Sequence, residues 1–373
     1  MPSLLYVSDV RPGSGGGGGI IAQRHLQFLV DKGWRIATVT PGGNLSAEDW
    51  LAHTIPKRRP WWPPYRPAYP SIMALRDWFT VRALEAEGIS GKRFDVVLTI
   101  CGGKSSWFAA AIAERWKRPL VAIVHDLWTE HGSADDARVG ERVCRLATRI
   151  LVVSEEMKVA LGRFGAAKIS VLPPVPCSRL LPFGTWQRSY SAPTVAHVGT
   201  LHNYHLPYLT LIARFLELHT GRLLVLCPVS NPVLARLKSD IPNLDHVDYF
   251  ASNEDALRCM AARATALTVM YPLGEAAPGV PLTGFPSRFV EFSQLGLPIL
   301  LSAPPGNPVR TWAKRHKWLA QFDPGDQLAA ASTVADLAEE PSWSKLAAQT
   351  RAVAEGEFDP SLIQAQFLEA VTP

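Results

Sequence analysis

The chain has 373 residues, 47% of them hydrophobic and 19% charged, which suits two globular domains with separate cores rather than one. Its net charge of +5 is spread along the sequence; that fits an anionic small molecule or an anionic membrane surface, and it is too diffuse for nucleic acid. Five scattered cysteines without a C-x-x-C pair exclude a zinc ribbon or disulfide framework and point to a reducing, cytoplasmic setting, and no signal peptide or apolar run of about 20 residues is present.

Leu4–Ser8 reads as a short strand. Arg11–Ser14 and the glycines Gly15–Gly19 follow, then a helix from Ile20 to about Lys32 with Leu26, Leu29 and Val30 on its buried face. Gly33 ends that helix and Arg35–Thr40 forms a second strand. Strand, glycine loop, helix and strand make the opening βαβ unit of a nucleotide-binding fold. Gly13, Gly15 and Gly18 satisfy G-x-G-x-x-G, but a glycine run does so by chance, and Thr40-Pro41 stands where a dinucleotide site needs an acid. The loop around Gly16, Gly17 and Gly18 is read either as backbone that approaches a donor or acceptor closely or as a merely flexible segment.

Residues 56–70 are rich in proline, tryptophan and arginine and read as an extended excursion. Either they hold an acceptor or touch a membrane interface, or they form a solvated loop. A helix (Ile72–Ala86) and a strand (Asp95–Ile100) follow. Gly103-Lys104-Ser105 resembles the end of a Walker A loop, but the upstream glycine that loop requires is missing. The strand Leu120–Val124 ends at His125-Asp126, where open parallel sheets place reactive groups. The pair is read as catalytic or as a structural strand end. Metal ligation by His125, Asp126 and His131 matches no spacing known for metal motifs. After strands at Ile150–Val153 and Lys168–Leu172, Pro173–Pro193 has the composition of an interdomain linker.

The alternation resumes with the strand Thr194–Val198, followed by Gly199, Thr200 and His202, and with strands near Leu223, His246, Leu267 and Pro298. Gly284–Gly296 reads as a loop turning into a short helix: Ser287 is the expected N-cap, with Glu291 just inside the first turn, and Gly296 the stop. Helix amides, the Arg288 cation and the Glu291 carboxylate within one turn suit a nucleotide diphosphate; the alternative is a helix with a favourable acid near its start. Three helical stretches close the chain, the last from Pro360.

Four segments in order resemble the GT-B glycosyltransferases, in particular the family 4 group of retaining, nucleotide-sugar-dependent enzymes. They are Leu4–Ser8 with the glycines and Arg24-His25-Leu26; Ile150–Ser154 through Lys168–Pro173; Val198-Gly199-Thr200; and Phe285–Phe292 with Gly296-Leu297-Pro298. The resemblance implies an α/β, GT-B fold of two Rossmann-like βαβ domains facing across a cleft. The implied divisions are residues 1–180 for the acceptor, 181–358 for the donor, and 359–373 as a helix crossing back to the first domain. It implies hexosyl transfer from a UDP- or GDP-sugar to a glycan, lipid-linked or small-molecule acceptor, with no metal or cofactor and no nucleic acid. The expected setting is cytoplasmic, with peripheral contact at the inner face of the membrane through residues 56–70. Glu291 matches the carboxylate that holds the nucleotide ribose. Ser287, Arg288, Gly199, Thr200 and His202 are expected at the diphosphate, and His125 and Asp126 at the reacting sugar. The chain departs from the family pattern where the acid eight positions before Glu291 is Thr283, with Glu275 nearby as a substitute. It departs again where Thr200 and His205 replace a basic pair. A nucleotide-sugar epimerase on the same fold, or a non-catalytic nucleotide-sugar-binding or assembly protein, are the alternative functions.

Overall fold

The computed structural model describes residues 1–13, 17–41, 51–55, 70–86, 88–178, 182–248, 250, 252–272, 283–323 and 325–373. Gly15, Gly16, residues 56–69 and Glu275, which carry expectations above, lie outside the described residues. The chain divides into two units: Met1–Pro174 with Thr283–Phe285 and Ser361–Pro373, and Val175–Leu282 with Pro286–Pro360.

The strands Ser3–Val7, Val96–Ile100 and Leu120–Val124 of the first unit are short runs buried along their whole length, the pattern of a parallel sheet covered by helices. In chain order they and their helices are β1 (Ser3–Val7), α1 (Gly17–Asp31), β2 (Arg35–Pro41), β3 (Leu51–Ile55), α2 (Pro70–Ala86), β4 (Val96–Ile100), α3 (Gly103–Trp116), β5 (Leu120–Val124), α4 (Trp128–His131), α5 (Ala134–Leu146), β6 (Arg149–Val152), α6 (Glu155–Leu161) and β7 (Ile169–Val171). The strand order is β3-β2-β1-β4-β5-β6-β7, every pair parallel, and it reverses between β1 and β4. Such a reversal is where open α/β sheets take their ligands. Ser133 caps α5 by accepting from the Asp136 amide at 3.2 Å, and Ser154 caps α6 by accepting from the Met157 amide at 3.0 Å.

Two expectations for α1 change. It begins at Gly17 rather than Ile20, so Gly17 and Gly18 are helical and not part of a loop. Glycine is a poor helix former, and here tertiary contact outweighs that preference. Val30 is 40% exposed, and the buried face is instead carried by Ile21, Ala22, His25, Leu26 and Leu29.

The second unit contains β8 (Thr194–Val198), α7 (Leu206–Leu218), β9 (Arg222–Leu226), α8 (Pro232–Asp240), β10 (Leu244–Val247), α9 (Asn253–Arg263), β11 (Ala266–Met270), α10 (Ser287–Ser293), β12 (Ile299–Ser302), α11 (Pro308–Arg315), β13 (Gln321–Phe322), α12 (Gln327–Ala338) and α13 (Glu340–Glu355). Its parallel order, β10-β9-β8-β11-β12-β13, reverses between β8 and β11. The last helix, α14 (Pro360–Val371), packs in the first unit from Ser361 onward. There the Gln364 amide oxygen takes His25 Nδ1 at 2.8 Å, and Phe367 stacks on the His25 ring at 4.1 Å. No helix of the described residues is long and apolar enough to cross a membrane.

Candidate active site

In the second unit the core decides which way α10 faces. Phe289 is fully buried, its ring 5.1 Å from those of Trp312 and Trp318, and Val290, Phe292 and Ser293 are buried beside it. Arg288 and Glu291, three positions apart, therefore share the opposite face. The N-cap is Pro286 and not Ser287, which occupies the first helical position and makes no side-chain cap. Proline supplies the extended backbone that precedes the turn, and Glu291 consequently falls in the second turn rather than the first. Gly296, at φ +65°, ends the segment in a left-handed conformation that a side chain would strain.

Arg288 meets Gly199 at the end of β8. A Cβ on Gly199 would lie 2.8 Å from Nη2, so the absent side chain is what admits the guanidinium. Gly199 has φ +107°, and its amide donates to the Leu226 carbonyl at 3.0 Å, so it contributes room rather than a hydrogen bond. Burial lowers the Arg288 pKa from the usual arginine value, while the neighbouring phenols of Tyr271 and Tyr204 act in the opposite direction. Tyr271 follows β11, so the cluster straddles the strand reversal. Thr200 and His202 are exposed, and the His202 ring stacks on Tyr204 at 5.2 Å.

Glu291 is held from two places that local sequence patterns do not mark. Asn253 Nδ2 donates to Oε1 at 2.6 Å, and the Cys177 amide donates to Oε2 at 3.3 Å. Asn253 sits at the start of α9, behind the N-cap Ser252, and this is the only local hint of its placement. An oriented carboxylate is a good acceptor for vicinal hydroxyls.

In the first unit, His125 follows β5 and lies against α1. A Cβ on Gly18 would be 3.4 Å from His125 Nδ1, so the structure brings these two expected residues together. Burial pushes the His125 pKa down to about 4, leaving a neutral ring with one donor and one acceptor nitrogen. Asp126 is exposed. At the end of β1, Asp9 accepts from the Ser105 amide at 2.8 Å and from its hydroxyl at 3.0 Å, fastening α3. The Ser105 of the apparent Walker segment thus serves a carboxylate. Thr283 belongs to this unit as well, its carbonyl accepting from the Ser154 hydroxyl at 2.6 Å. Among the described residues, no group of three or more His, Cys, Asp or Glu side chains could hold a metal ion.

Residues 15–175 match the family model of Glycosyltransferase Family 4. The chain's two parallel sheets have the GT-B fold, as its structural neighbours agree. It is similar to HepE of Anabaena, solved with UDP and glucose, at 15% identity over 99% of both chains with a TM-score of 0.69. Sucrose-phosphate synthase from Thermosynechococcus elongatus is similar at 16% identity, covering 99% of this chain and 98% of that one, TM-score 0.64. WaaG, a glycosyltransferase involved in lipopolysaccharide biosynthesis, aligns over 100% of both chains at 12% identity and a TM-score of 0.62. No curated protein matches the chain in sequence.

Proposed function

We propose that this protein is a glycosyltransferase that moves a hexose from a UDP- or GDP-sugar to an acceptor hydroxyl, with retention at the anomeric carbon, in glycan, glycolipid or polysaccharide synthesis. The observation that carries this reading is the pairing of Arg288 and Glu291 on one face of α10, with the guanidinium seated on Gly199 beside the strand reversal. As the sugar departs, negative charge grows on the diphosphate. A fixed guanidinium stabilises that charge without reorganising. It carries more weight here than the amides at the start of α10, a helix of seven residues. Glu291, oriented by Asn253 and Cys177, takes the ribose hydroxyls.

His125 holds a hydroxyl of the reacting sugar, with Gly18 leaving room beside it. A group with a pKa of about 4 is a weak base at neutral pH, and this favours a positioning role over proton abstraction, hence retention over inversion. Asp126, exposed next to it, is proposed to assist there. Neither metal nor cofactor is needed in this scheme. HepE, solved with UDP and glucose, supports a UDP-type donor. The acceptor is proposed to be a glycan, a lipid-linked sugar or a small molecule, and residues 56–70 are the proposed peripheral contact with a membrane.

The test is a thermal-shift series with UDP, GDP, ADP and their sugars, since a ligand that binds only the folded state raises the melting point. One nucleotide should stabilise the protein, and Glu291→Ala should reduce that shift. An unchanged shift in the variant would remove the ribose assignment. Donor binding with neither donor hydrolysis nor transfer across an acceptor panel would instead favour the non-catalytic reading, which the Thr283 departure suggests.

A further inference from the structure

Gln364 of α14, buried near the end of the chain, meets α1 twice. Its Nε2 donates to the Arg24 carbonyl at 3.2 Å, and its Oε1 faces His25 Nδ1 at 2.8 Å. The first bond fixes which end of the amide is the oxygen. The second therefore puts the ring's proton on His25 Nδ1, since only an N–H can face Oε1 at that distance. Phe367, one turn further along α14, stacks on the same ring at 4.1 Å. The His25 ring, 1% exposed, is thus held by an edge and by a face.

Gly18 and His25 stand two turns apart on one face of α1, about 10 Å along the axis. Helical side chains lean toward the N-terminus, which brings the His25 ring back toward Gly18. At Gly18 the helix is confined from two sides: a Cβ there would lie 3.4 Å from His125 Nδ1 and 3.5 Å from Val10 Cγ1. The depth at which α1 sits therefore sets the space beside the His125 ring. Burial lowers the His25 pKa to about 4; the Gln364 bond opposes that shift, and the His125 and Arg24 charges add to it. Both imidazoles are neutral at pH 7, so neither repels the other.

We infer that Gln364 is a positioning residue for His125: from the end of the chain it locks the His25 ring, and so holds α1 at the depth that shapes the space around His125. This rests on the reading of His125 as the group that holds a hydroxyl of the reacting sugar. The polar bond matters because an apolar side chain at position 364 would leave the buried Nδ1–H unpaired, and the ring would turn to find another acceptor.

The experiment is a double-mutant cycle on the full-length protein, with turnover of UDP- and GDP-sugars followed as hydrolysis or as transfer across an acceptor panel. Gln364→Met keeps the side chain's length and removes both hydrogen bonds. Melting points report folding, and His25→Leu, which takes the ring away from Gln364, is a second variant for which the same pattern is expected. Gln364→Met should lower kcat about tenfold and leave nucleotide affinity, measured by calorimetry, unchanged. In the His125→Ala background the same substitution should change kcat by less than about twofold, because its effect passes through that ring. A residue that merely stabilised the fold would cost the same in both backgrounds. An unchanged kcat in Gln364→Met, or an equal loss in both backgrounds, would overturn this inference and leave the role of His125 standing. A His125→Ala variant as active as the wild type would overturn the His125 reading, and a wild type that turns over no nucleotide sugar would overturn the enzymatic one; either result removes this inference as well.

Discussion

Arg288 lies where the side chain of residue 199 would be. The guanidinium rests on Gly199, and a Cβ there would come within 2.8 Å of Nη2. Two segments far apart in sequence thus share one small volume, and the cation is placed by an absence of atoms.

The first prediction tests that relationship. Gly199→Ala should displace Arg288 and place a side chain at φ +107°, a conformation that costs about 1–2 kcal/mol outside glycine. The melting point should fall by a few degrees. Nucleotide affinity should fall further than Arg288→Lys lowers it, because Ala moves the whole group. Calorimetry of the two variants with UDP checks this, and equal affinity for Gly199→Ala and wild type would refute it.

Asn253 orients Glu291 from a site exposed to solvent, where a single polar pair adds little stability. Asn253→Ala should therefore weaken nucleotide binding several-fold with almost no change in melting point. Asn253→Asp should weaken it more, since two carboxylates would then face each other. Denaturation and binding measured on the same samples separate the two effects.

Stability should depend on pH in a defined direction. Burial holds His25 and His125 down to about 4 and His205 to about 3, against 6.5 for a free histidine. Between those values the unfolded chain binds protons that the folded one does not. Unfolding free energy should therefore rise with pH from 4 to 6.5, by up to about 1.4 kcal/mol per pH unit for each such histidine, and level off above. Urea midpoints at pH 5 and 7 should differ accordingly. His25→Gln, which cannot titrate, should reduce the difference.

Phe367 ties α14 to the first unit through the His25 ring. It is fully buried, so Phe367→Ala should cost about 3–5 kcal/mol. Gln364→Ala should cost less, since it removes one hydrogen bond and no large volume. The comparison of their denaturation midpoints measures how far the first unit depends on the end of the chain.

Much of the architecture was legible because parallel strands buried on both faces are unmistakable apolar runs, as in Leu120–Val124 and Leu267–Met270. β3 was missed because Leu-Ala-His-Thr-Ile carries a polar centre and lies at the edge of its sheet, where one neighbour suffices. The two-residue β13 is too short to show any period. The start of α1 was misplaced because glycines argue for a loop locally, while packing of Gly18 against His125 and Val10 favours the helix. Ser287 was read as a cap on residue type, yet Pro286 already supplies the backbone conformation that a cap needs.

The amino-acid order by itself determined the alternation of strands and helices, and it put Arg288 and Glu291 on one helical face through their spacing of three. Which face that is, and what it meets, were decided only in three dimensions. Phe289 turned it outward by entering the core, Gly199 made room for the cation, and Asn253 and Cys177 reached the carboxylate from 38 and 114 positions away. Local periodicity acts through bonds between near neighbours along the chain, and a site assembled across a sheet reversal has none of those to leave a mark.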